Sequence, residues 1–444
     1  MTTGSPLPKI LLFTFPILLG NIFQQLYTVI DGIVVGKNIS DAAQAAVGAS
    51  FSVTYMITSL FLGIGLGGSV LVSQYFGQNN PQNIYKTICT MNSFLLIISL
   101  PLTIFGTLTA GSFLTMLKVP NEYFDLAKAY MCVYYLGLLP QFGYNANAGI
   151  LQGLGDSRSP LIILALSSVL HIILDYLFVV PIPLGVVGVG LATVLSQLFS
   201  WMLSVWYINH KFPEYRFKVF KIVFDKKIFK EILRIGVPTG LQNALYSVGI
   251  MVMAPLINQN STEFVAGYNA AVKVDGFIFM PIQSLATSIT TYVGQNIGAN
   301  KMERVKQGVK SVLLLSIVMC AVLCAVVLPL RSKLMWLFTD SQTVVNEGNE
   351  YLIRVVPLYV LSTLQYMYIG LLRGAGEAKI TTIAALASLW LARVPSAYFL
   401  TKNYGPANMH WCYAIGWVAG LCILVPYYYS GRWKRRIAAL HSAK

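Results

Sequence analysis

The chain contains the stretch QYFGQN at 74–79, and it repeats 221 positions later as QNIGAN at 295–300. A second pair keeps the same offset, because QGLGDSR at 152–158 returns as RGAGEAK at 373–379. Pro16, at the end of KILLFTFP, likewise has a counterpart in Pro238 of KEILRIGVP. Similar motifs in the same order at one separation indicate that each half of the chain is one copy of a single structural unit. Features present in only one half are therefore candidates for function.

The composition places the chain in a membrane, since 56% of its 444 residues are apolar and only 11% are charged. Soluble domains carry about a quarter charged residues. Twelve apolar runs are long enough to cross a bilayer, near residues 10–35, 46–76, 87–110, 126–150, 160–182, 186–209, 231–257, 264–293, 308–330, 348–372, 378–402 and 408–430. The sequence therefore predicts an all-α integral membrane fold with twelve transmembrane helices, six in each half.

The runs and charges divide the chain into four segments. We predict an amino-terminal six-helix lobe at 1–209, a cytoplasmic linker at 210–233, a carboxy-terminal six-helix lobe at 234–431 and a basic cytoplasmic tail at 432–444. The charged linker is a candidate for an amphipathic helix on the membrane surface. Six crossings return the chain to its starting side, so the two lobes should be parallel repeats.

The net charge of +15 is sorted by loop. Most Lys and Arg residues fall in alternate loops, on the side that also carries the linker and the RWKRR stretch. The positive-inside rule then predicts a multi-pass protein of the cell membrane with both termini in the cytoplasm. A basic face against anionic lipid explains this charge, so we expect the bilayer rather than nucleic acid as its partner.

The cysteines and histidines show no metal-binding spacing. Six cysteines and four histidines are scattered, without CxxC or HxxxH, so no metal site and no cofactor are predicted. No HExxH, GxSxG or paired-aspartate motif is present either, which disfavours a membrane-embedded enzyme.

Charges in the hydrocarbon zone of the bilayer are costly, and each is a functional hypothesis. The set is short: Asp31, Asp175, Lys273, Asp275 and Arg393. The first two acids belong to the first half alone, since the repeat offset places Asp31 near Met253 and Asp175 near Ser396. Lys273 and Asp275 are two positions apart and should face different ways.

Polar residues near these acids fall on helical stripes. Gln24, Tyr27 and Asp31 share one face of the first run, and His171 and Asp175 lie one turn apart in the fifth. Neighbouring runs add Asn145 and Asn147 beside Tyr144, and Thr193 with Gln197.

If these faces meet, the pocket can bind a proton or a small cation, because burial and mutual repulsion favour protonated carboxyl groups, whereas a cation favours ionised ones. The alternatives are that Asp31 only caps or solvates its helix end, and that His171 and Asp175 form a satisfied buried pair. Arg393 either neutralises Asp275 or contacts substrate.

Two further groups of residues are predicted. A possible substrate cavity or second-lobe charge network includes Gln24, Tyr27, Asn147, Gln197, Gln242, Asn243, Lys273, Asp275 and Arg393. Pro16 and Pro238 are candidate hinge or kink positions.

The proline-bearing first helix FPILLGNIFQQLYTVIDGIVVGK, the repeated Q-x-x-G-x-N and the turns LQGLGDSRSP and LLRGAGEAK resemble the multidrug and toxic compound extrusion (MATE) family. The resemblance covers essentially the full chain and is closest to the DinF-like branch. It implies two six-helix bundles forming a V around a central cavity, alternating access, and export of bulky amphiphilic, often cationic compounds against H+ or Na+. It also implies function as a monomer.

Carried over by position, the family's amino-lobe cation site falls on Asp31, Asn145, Asp175 and Thr193. His171 stands where the family usually has Asn, which leaves both H+ and Na+ open as coupling ion. Members that couple through the carboxyl lobe have acidic residues on helices seven and ten. Here helix seven reads GLQNALYSVGIMVMAPL and helix ten reads VVPLYVLSTLQYMYIGL, and neither stretch contains a carboxylate. A lipid-linked oligosaccharide flippase of the same superfamily is the competing hypothesis, with Lys273 and Arg393 as its support.

Overall fold

The computed structural model describes residues 1–434, apart from the side chains of residues 52 and 56. Regular structure in that part of the chain is helical. The helices of the first half are Pro6–Asn38 (α1), Asp41–Gly77 (α2), Pro81–Met116 (α3), Asn121–Leu136 (α4), Leu138–Leu154 (α5), Arg158–Val179 (α6) and Gly185–Lys211 (α7). Those of the second are Lys226–Asn258 (α8), Thr262–Gly298 (α9), Met302–Trp336 (α10), Gln342–Val355 (α11), Tyr359–Gly374 (α12), Ala378–Leu386 (α13), Val394–Tyr404 (α14) and Trp411–Tyr429 (α15).

The repeated motifs are helix ends. Asn79 and Asn300, the last residues of the two Q-x-x-G-x-N copies, have φ of 53° and 57°. Asparagine tolerates this left-handed conformation better than most residues, and it stops the helix. Gly155 and Gly376, in the second pair of motifs, have φ of 93° and 84° for the same reason. The motifs recur because both halves need the same turns.

The first glycine of the second motif pair has a different task. A Cβ on Gly153 would lie 2.7 Å from the carbonyl oxygen of Ser69, and one on Gly374 would lie 2.4 Å from that of Thr290. Only glycine therefore allows α5 to pack on α2, and α12 on α9, at this distance. The contact obeys the same 221-residue offset, which confirms the duplication within the helix packing.

Within residues 1–434, ten helical segments are long and apolar enough to cross a membrane. This differs from the twelve predicted runs at two places. The run at 126–150 is broken at Gly137 into α4 and α5, and α9 contains charged and amide side chains, Lys273 and Asp275 among them, that lower its hydropathy. A break also separates α11 from α12 at Val356–Leu358, where Pro357 lacks a backbone N–H.

The predicted linker is only partly helical. Apart from a single turn at Pro213–Tyr215, its residues up to Asp225 form no helix, and residues 226–233 are the start of α8. The residues up to Asp225 run along α3 instead, since Ser93 exchanges hydrogen bonds with the backbone of Val223 and Thr90 accepts one from the N–H of Asp225. Polar partners on α3 satisfy the backbone that a helix would have satisfied internally. The predicted basic tail lies mostly outside the described residues.

Contacts divide the chain into two units. One, here called the amino unit, is Phe15–Gly240; the other, the carboxyl unit, is Met1–Thr14 together with the residues from Leu241 onward. The boundaries fall inside α1 and α8, close to Pro16 and Pro238, and not in the linker. Accordingly, Thr14 of α1 hydrogen-bonds Ser288 of α9 at 2.8 Å within the carboxyl unit.

The start of α8 packs on α2 within the amino unit. Cβ atoms on Gly63 and Gly67 would lie 2.3 and 2.5 Å from backbone atoms of α8. On the α8 side, Gly236 and Gly240 lie similarly close to the backbone of α2. Two small-xxx-small pairs thus bring the helix backbones into direct contact, as is common in membranes.

Candidate functional site

A cluster of ionisable side chains lies inside the amino unit, where α1 meets α6. Asp31, His171 and Asp175 each place a potential ligand atom within 4.8 Å of the other two. Asp175 is fully buried, His171 is 3% exposed and Asp31 is half-buried. His171 and Asp175 are one turn apart on α6, so their side chains lie on the same face of that helix. The cluster forms because this face is turned toward α1, which carries Asp31.

The imidazole of His171 has one polar partner and one free nitrogen. Its Nε2 lies 3.2 Å from Oγ1 of Thr193, and the tautomer of the ring sets which of the two donates. When Thr193 donates to the carbonyl of Val189, 3.1 Å away, Nε2 carries the hydrogen. Nδ1 is buried and has no hydrogen-bond partner among the described residues. In that tautomer of the neutral ring, Nδ1 is available to accept a proton.

The carboxylates are similarly unsatisfied. Within the described part of the chain, no N–H or hydroxyl group donates to either oxygen of Asp175 or to Oδ1 of Asp31. The two carboxyl groups interact with each other, and they hydrogen-bond only if one holds a proton. Buried polar atoms normally have partners, and unpartnered ones point to an ion, a proton or water that completes the site.

An apolar layer lies one helical turn away from this polar layer. Val35 and Val179 follow Asp31 and Asp175 by four residues, and Val189 precedes Thr193 by four; all three valines are buried in one hydrophobic cluster. The polar cluster therefore borders an apolar one.

The other predicted amino-lobe residues have mixed positions. Tyr27 packs edge-on against His171, with ring centroids 5.1 Å apart, and Gln197 has a buried, unpartnered Oε1 among the described residues. The amide of Asn145 donates to the carbonyl of Gln141, and the amide of Asn147 donates to the hydroxyl of Ser204. Gln24 is exposed. The structure thus brings together Asp31, His171, Asp175 and Thr193, with the two asparagines bonded elsewhere.

The predicted charges of the second half lie in the carboxyl unit. Asp275 accepts hydrogen bonds from the hydroxyls of Tyr351 and Tyr359. The Arg393 guanidinium lies over the ring of Tyr413, 3.7 Å from its centroid. Both charges line one cavity of about 460 Å³.

Of the remaining predicted residues of the second half, Gln242 lines the cavity, and Lys273 and Asn243 are not among its described lining residues. Gln242 also accepts a hydrogen bond from Arg373. Lys273 is exposed, with its ammonium 5.6 Å from the ring of Phe338, and so faces away from Asp275 as predicted. Asn243 is half-buried.

Sequence reasoning missed the tyrosines. Tyr351 and Tyr359 donate hydrogen bonds to Asp275. The chain has 25 tyrosines, and these two lie on either side of the break after α11, so no local pattern singles them out.

Motif spacing also argued against a metal site, yet the carboxylates of Asp31 and Asp175 and the imidazole of His171 lie close together. The His-x-x-x-Asp spacing on α6 was the available signal for this group, although the third residue of the group, Asp31, comes from α1.

The duplicated multi-pass helical fold, with ionisable groups buried between its helices, places this protein in the class of membrane transporters. The chain belongs to the MatE family of multidrug efflux transporters, whose model matches residues 16–177 and again residues 238–399. The two matches are offset by 222 residues, in agreement with the repeated motifs.

Named relatives and solved structures agree with this assignment. The probable multidrug resistance protein YpnP of Bacillus subtilis is 28% identical over 98% of this chain and 97% of its own length. The probable multidrug resistance protein NorM of Thermotoga maritima is 25% identical over 94% and 90%. A multidrug resistance MATE family transporter solved in an outward-facing conformation has the same fold, with a TM-score of 0.89, 24% identity, and coverage of 98% of this chain and 97% of that one.

Proposed function

We propose that this protein is a secondary antiporter that exports bulky amphiphilic, often cationic compounds in exchange for protons, with Na+ as the alternative ion. Coupling runs through Asp31, His171 and Asp175. The observation that carries the proposal is that these three side chains converge within 4.8 Å, while Oδ1 of Asp31, both oxygens of Asp175 and Nδ1 of His171 are buried without a partner among the described residues.

Exchange follows from competition for the same groups. A proton held between the carboxylates, or on Nδ1 of His171, removes the repulsion between two buried negative charges. A cationic substrate near the site favours the ionised carboxylates and releases that proton. Binding of one cation therefore disfavours the other, which is the basis of antiport.

The donor set supports H+ over Na+. An imidazole nitrogen changes charge near neutral pH, whereas Na+, like other hard cations, prefers oxygen ligands. The amide NH2 of Asn145, a residue that the family resemblance places in a cation site, donates to the carbonyl of Gln141. Two carboxylates and an imidazole can also hold a divalent transition metal, which the experiment below must separate from a proton.

We also propose a multi-pass protein of the cell membrane that functions as a monomer, with both termini in the cytoplasm, as the distribution of Lys and Arg supports. The flippase hypothesis is weaker, because it expects a strongly basic cavity. The charged residues that line the carboxyl-unit cavity are one carboxylate, Asp275, and one guanidinium, Arg393.

The test is transport in proteoliposomes with ΔpH and ΔNa+ imposed independently. Purified protein should move a fluorescent organic cation when a pH gradient alone is applied, and a chelator should leave the rate unchanged. Movement driven by Na+ alone would make Na+ the ion. A rate independent of both gradients would refute antiport.

A further inference from the structure

The group formed by Asp31, His171 and Asp175 has the spacing of a transition-metal site. Each side chain offers one potential ligand atom, and these atoms lie within 4.8 Å of one another. A tetrahedral ion bound at about 2.1 Å holds its ligands about 3.4 Å apart. The three atoms therefore need to approach one another by at most about 1.4 Å to share one ion. Among the described residues, no other three His, Cys, Asp or Glu side chains are arranged in this way.

The imidazole of His171 has the environment of a metal-binding histidine. Its Nδ1 is buried and has no partner within residues 1–434, and its Nε2 lies 3.2 Å from Oγ1 of Thr193. That hydroxyl has the carbonyl of Val189 as its own acceptor, 3.1 Å away. Nε2 can thus donate to Thr193 while the lone pair of Nδ1 stays free. Metal-binding histidines almost always donate their other ring N–H to an oxygen, which fixes the orientation of the ring.

The two carboxylates supply oxygen ligands and a charge that only a divalent ion balances fully. No N–H or hydroxyl group of the described residues donates to either oxygen of Asp175 or to Oδ1 of Asp31. The ion pairs in that part of the chain do not include either acid. A divalent ion with two carboxylates and a neutral imidazole carries no net charge. A proton or Na+ leaves one of two buried negative charges without a partner.

The mixed set of ligands selects the kind of divalent ion. Mg²⁺ and Ca²⁺ prefer oxygen ligands, whereas imidazole nitrogen suits Zn²⁺ and its neighbours among the transition metals. Cu(I) prefers sulfur, which the group does not contain. Zn²⁺ accepts nitrogen and oxygen ligands together in a four-coordinate site. Three protein ligands leave its fourth position for a water molecule or for the second oxygen of a carboxylate.

We propose that Asp31, His171 and Asp175 form an inhibitory binding site for Zn²⁺ and chemically similar divalent ions. Thr193 is the positioning residue of this site, because it orients the imidazole. A bound ion occupies the carboxylates that a proton or Na+ has to reach, and three protein ligands hold it longer than a proton is held. The transport cycle therefore stops while the ion is bound. The inhibition rests on the proposed function, but the binding of the ion does not.

Binding is measured without any gradient. Full-length protein, purified in detergent without a polyhistidine tag, is titrated with Zn²⁺ by isothermal titration calorimetry. A parallel titration uses Co²⁺, whose visible absorption reports its ligands, and Zn²⁺ should displace it and abolish that absorption. Loss of an outer partner of a metal ligand costs roughly 10- to 100-fold in affinity, so His171→Asn, which removes a ligand itself, should weaken Zn²⁺ binding roughly 100-fold or more.

A second pair of variants tests the positioning residue without removing a ligand or a charge. Thr193→Val keeps the shape of the side chain but removes the oxygen, so it should weaken Zn²⁺ binding roughly 10-fold and change the Co²⁺ spectrum. Thr193→Ser keeps the hydroxyl and should bind both ions as the parent does. The matched controls are His210→Asn, at an exposed histidine of α7, and Asp125→Asn, at an exposed carboxylate of α4.

Saturable Zn²⁺ binding that is weakened by His171→Asn and by Thr193→Val, and unchanged in both controls, supports the site. If His171→Asn fails to fold, the comparison of Thr193→Val with Thr193→Ser decides. No binding to the parent protein, or equal binding in the parent and in these variants, would overturn it.

Inhibition is measured in proteoliposomes by adding saturating Zn²⁺ during gradient-driven efflux. The rate should fall to near zero and recover when a chelator is added. Zn²⁺ that binds at the site without slowing efflux would overturn the inhibition. A protein that binds Zn²⁺ but shows no gradient-driven efflux at all would refute antiport and leave the metal site supported.

Discussion

Replacing Asp175 by Asn should uncouple transport from the ion gradient while the protein still inserts and folds. Asn keeps the size of the side chain and removes the charge that a proton or cation neutralises. Asp175 is fully buried, so bulk water does not solvate its charge. Asp31→Asn should act in the same direction, and the double variant should be little worse than either single variant, because one site is lost in each case.

The size of the effect follows from the geometry. Two negative charges at 4.8 Å, the limit of the cluster, repel by about 3.5 kcal/mol at an effective dielectric constant of about 20. Partial exposure of Asp31 screens some of this, and about 2–3.5 kcal/mol remains to favour a bound proton or cation. Removing one charge should therefore weaken ion binding by roughly 30- to 300-fold.

The assay is efflux of a fluorescent cation from proteoliposomes at fixed protein density, over a series of imposed gradients. Asp175→Asn should give a rate that no longer depends on the gradient. Asp125→Asn, at an exposed carboxylate of α4 in the same unit, is the matched control and should behave as the parent. Gradient-driven efflux that survives both Asp31→Asn and Asp175→Asn would show that the carboxylates are structural and refute the reasoning.

Three further outcomes are expected. His171→Asn removes the imidazole from the cluster and should shift efflux-versus-pH curves or admit Na+; curves that overlay the parent under both ions would assign the ring to packing alone. Asp275→Asn should reduce gradient-driven efflux less than the amino-unit variants, because tyrosine hydroxyls already satisfy that carboxylate; an equal loss would contradict a single coupling site. Gly63→Ala places a Cβ 2.3 Å from the backbone nitrogen of Gly240, and this overpacking should cost about 1–3 kcal/mol of stability. The variant should therefore melt at a lower temperature than the parent, whereas Gly48→Ala should not. Equal melting temperatures for the two variants would mean that the α2–α8 contact is not tight.

Much of the fold could be predicted because the repeated motifs are local. Asn79 and Asn300 end helices through their own backbone conformation, and Gly155 and Gly376 do the same, so each signal is visible in a few residues. The path of the linker up to Asp225 could not be predicted, for the opposite reason. Its extended path depends on side chains of α3, among them Ser93, more than a hundred residues earlier in the chain, and no local pattern shows such a partner.

The candidate site shows the same contrast. His171 and Asp175 are one turn apart, so their shared face is a local feature, and the repeat offset singled out Asp31. The free nitrogen of His171 could not be predicted, because it depends on the contact of the other ring nitrogen with Thr193. That contact is a matter of tertiary packing, which sequence spacing does not encode.

The two repeats differ most in how they accommodate a buried acid. In the carboxyl unit, Asp275 receives two tyrosine hydroxyls, so its charge is fixed by the protein in every state of the transporter that keeps those bonds. In the amino unit, Asp175 lies beside another acid and an imidazole, and no group among the described residues donates to its oxygens. Its charge is therefore left to be balanced by a bound proton or cation, which can dissociate. A ligand shifts a conformational equilibrium only through different affinities for the two states. An acid whose partner can leave meets that condition, and this difference between the repeats is why we propose coupling in the amino unit.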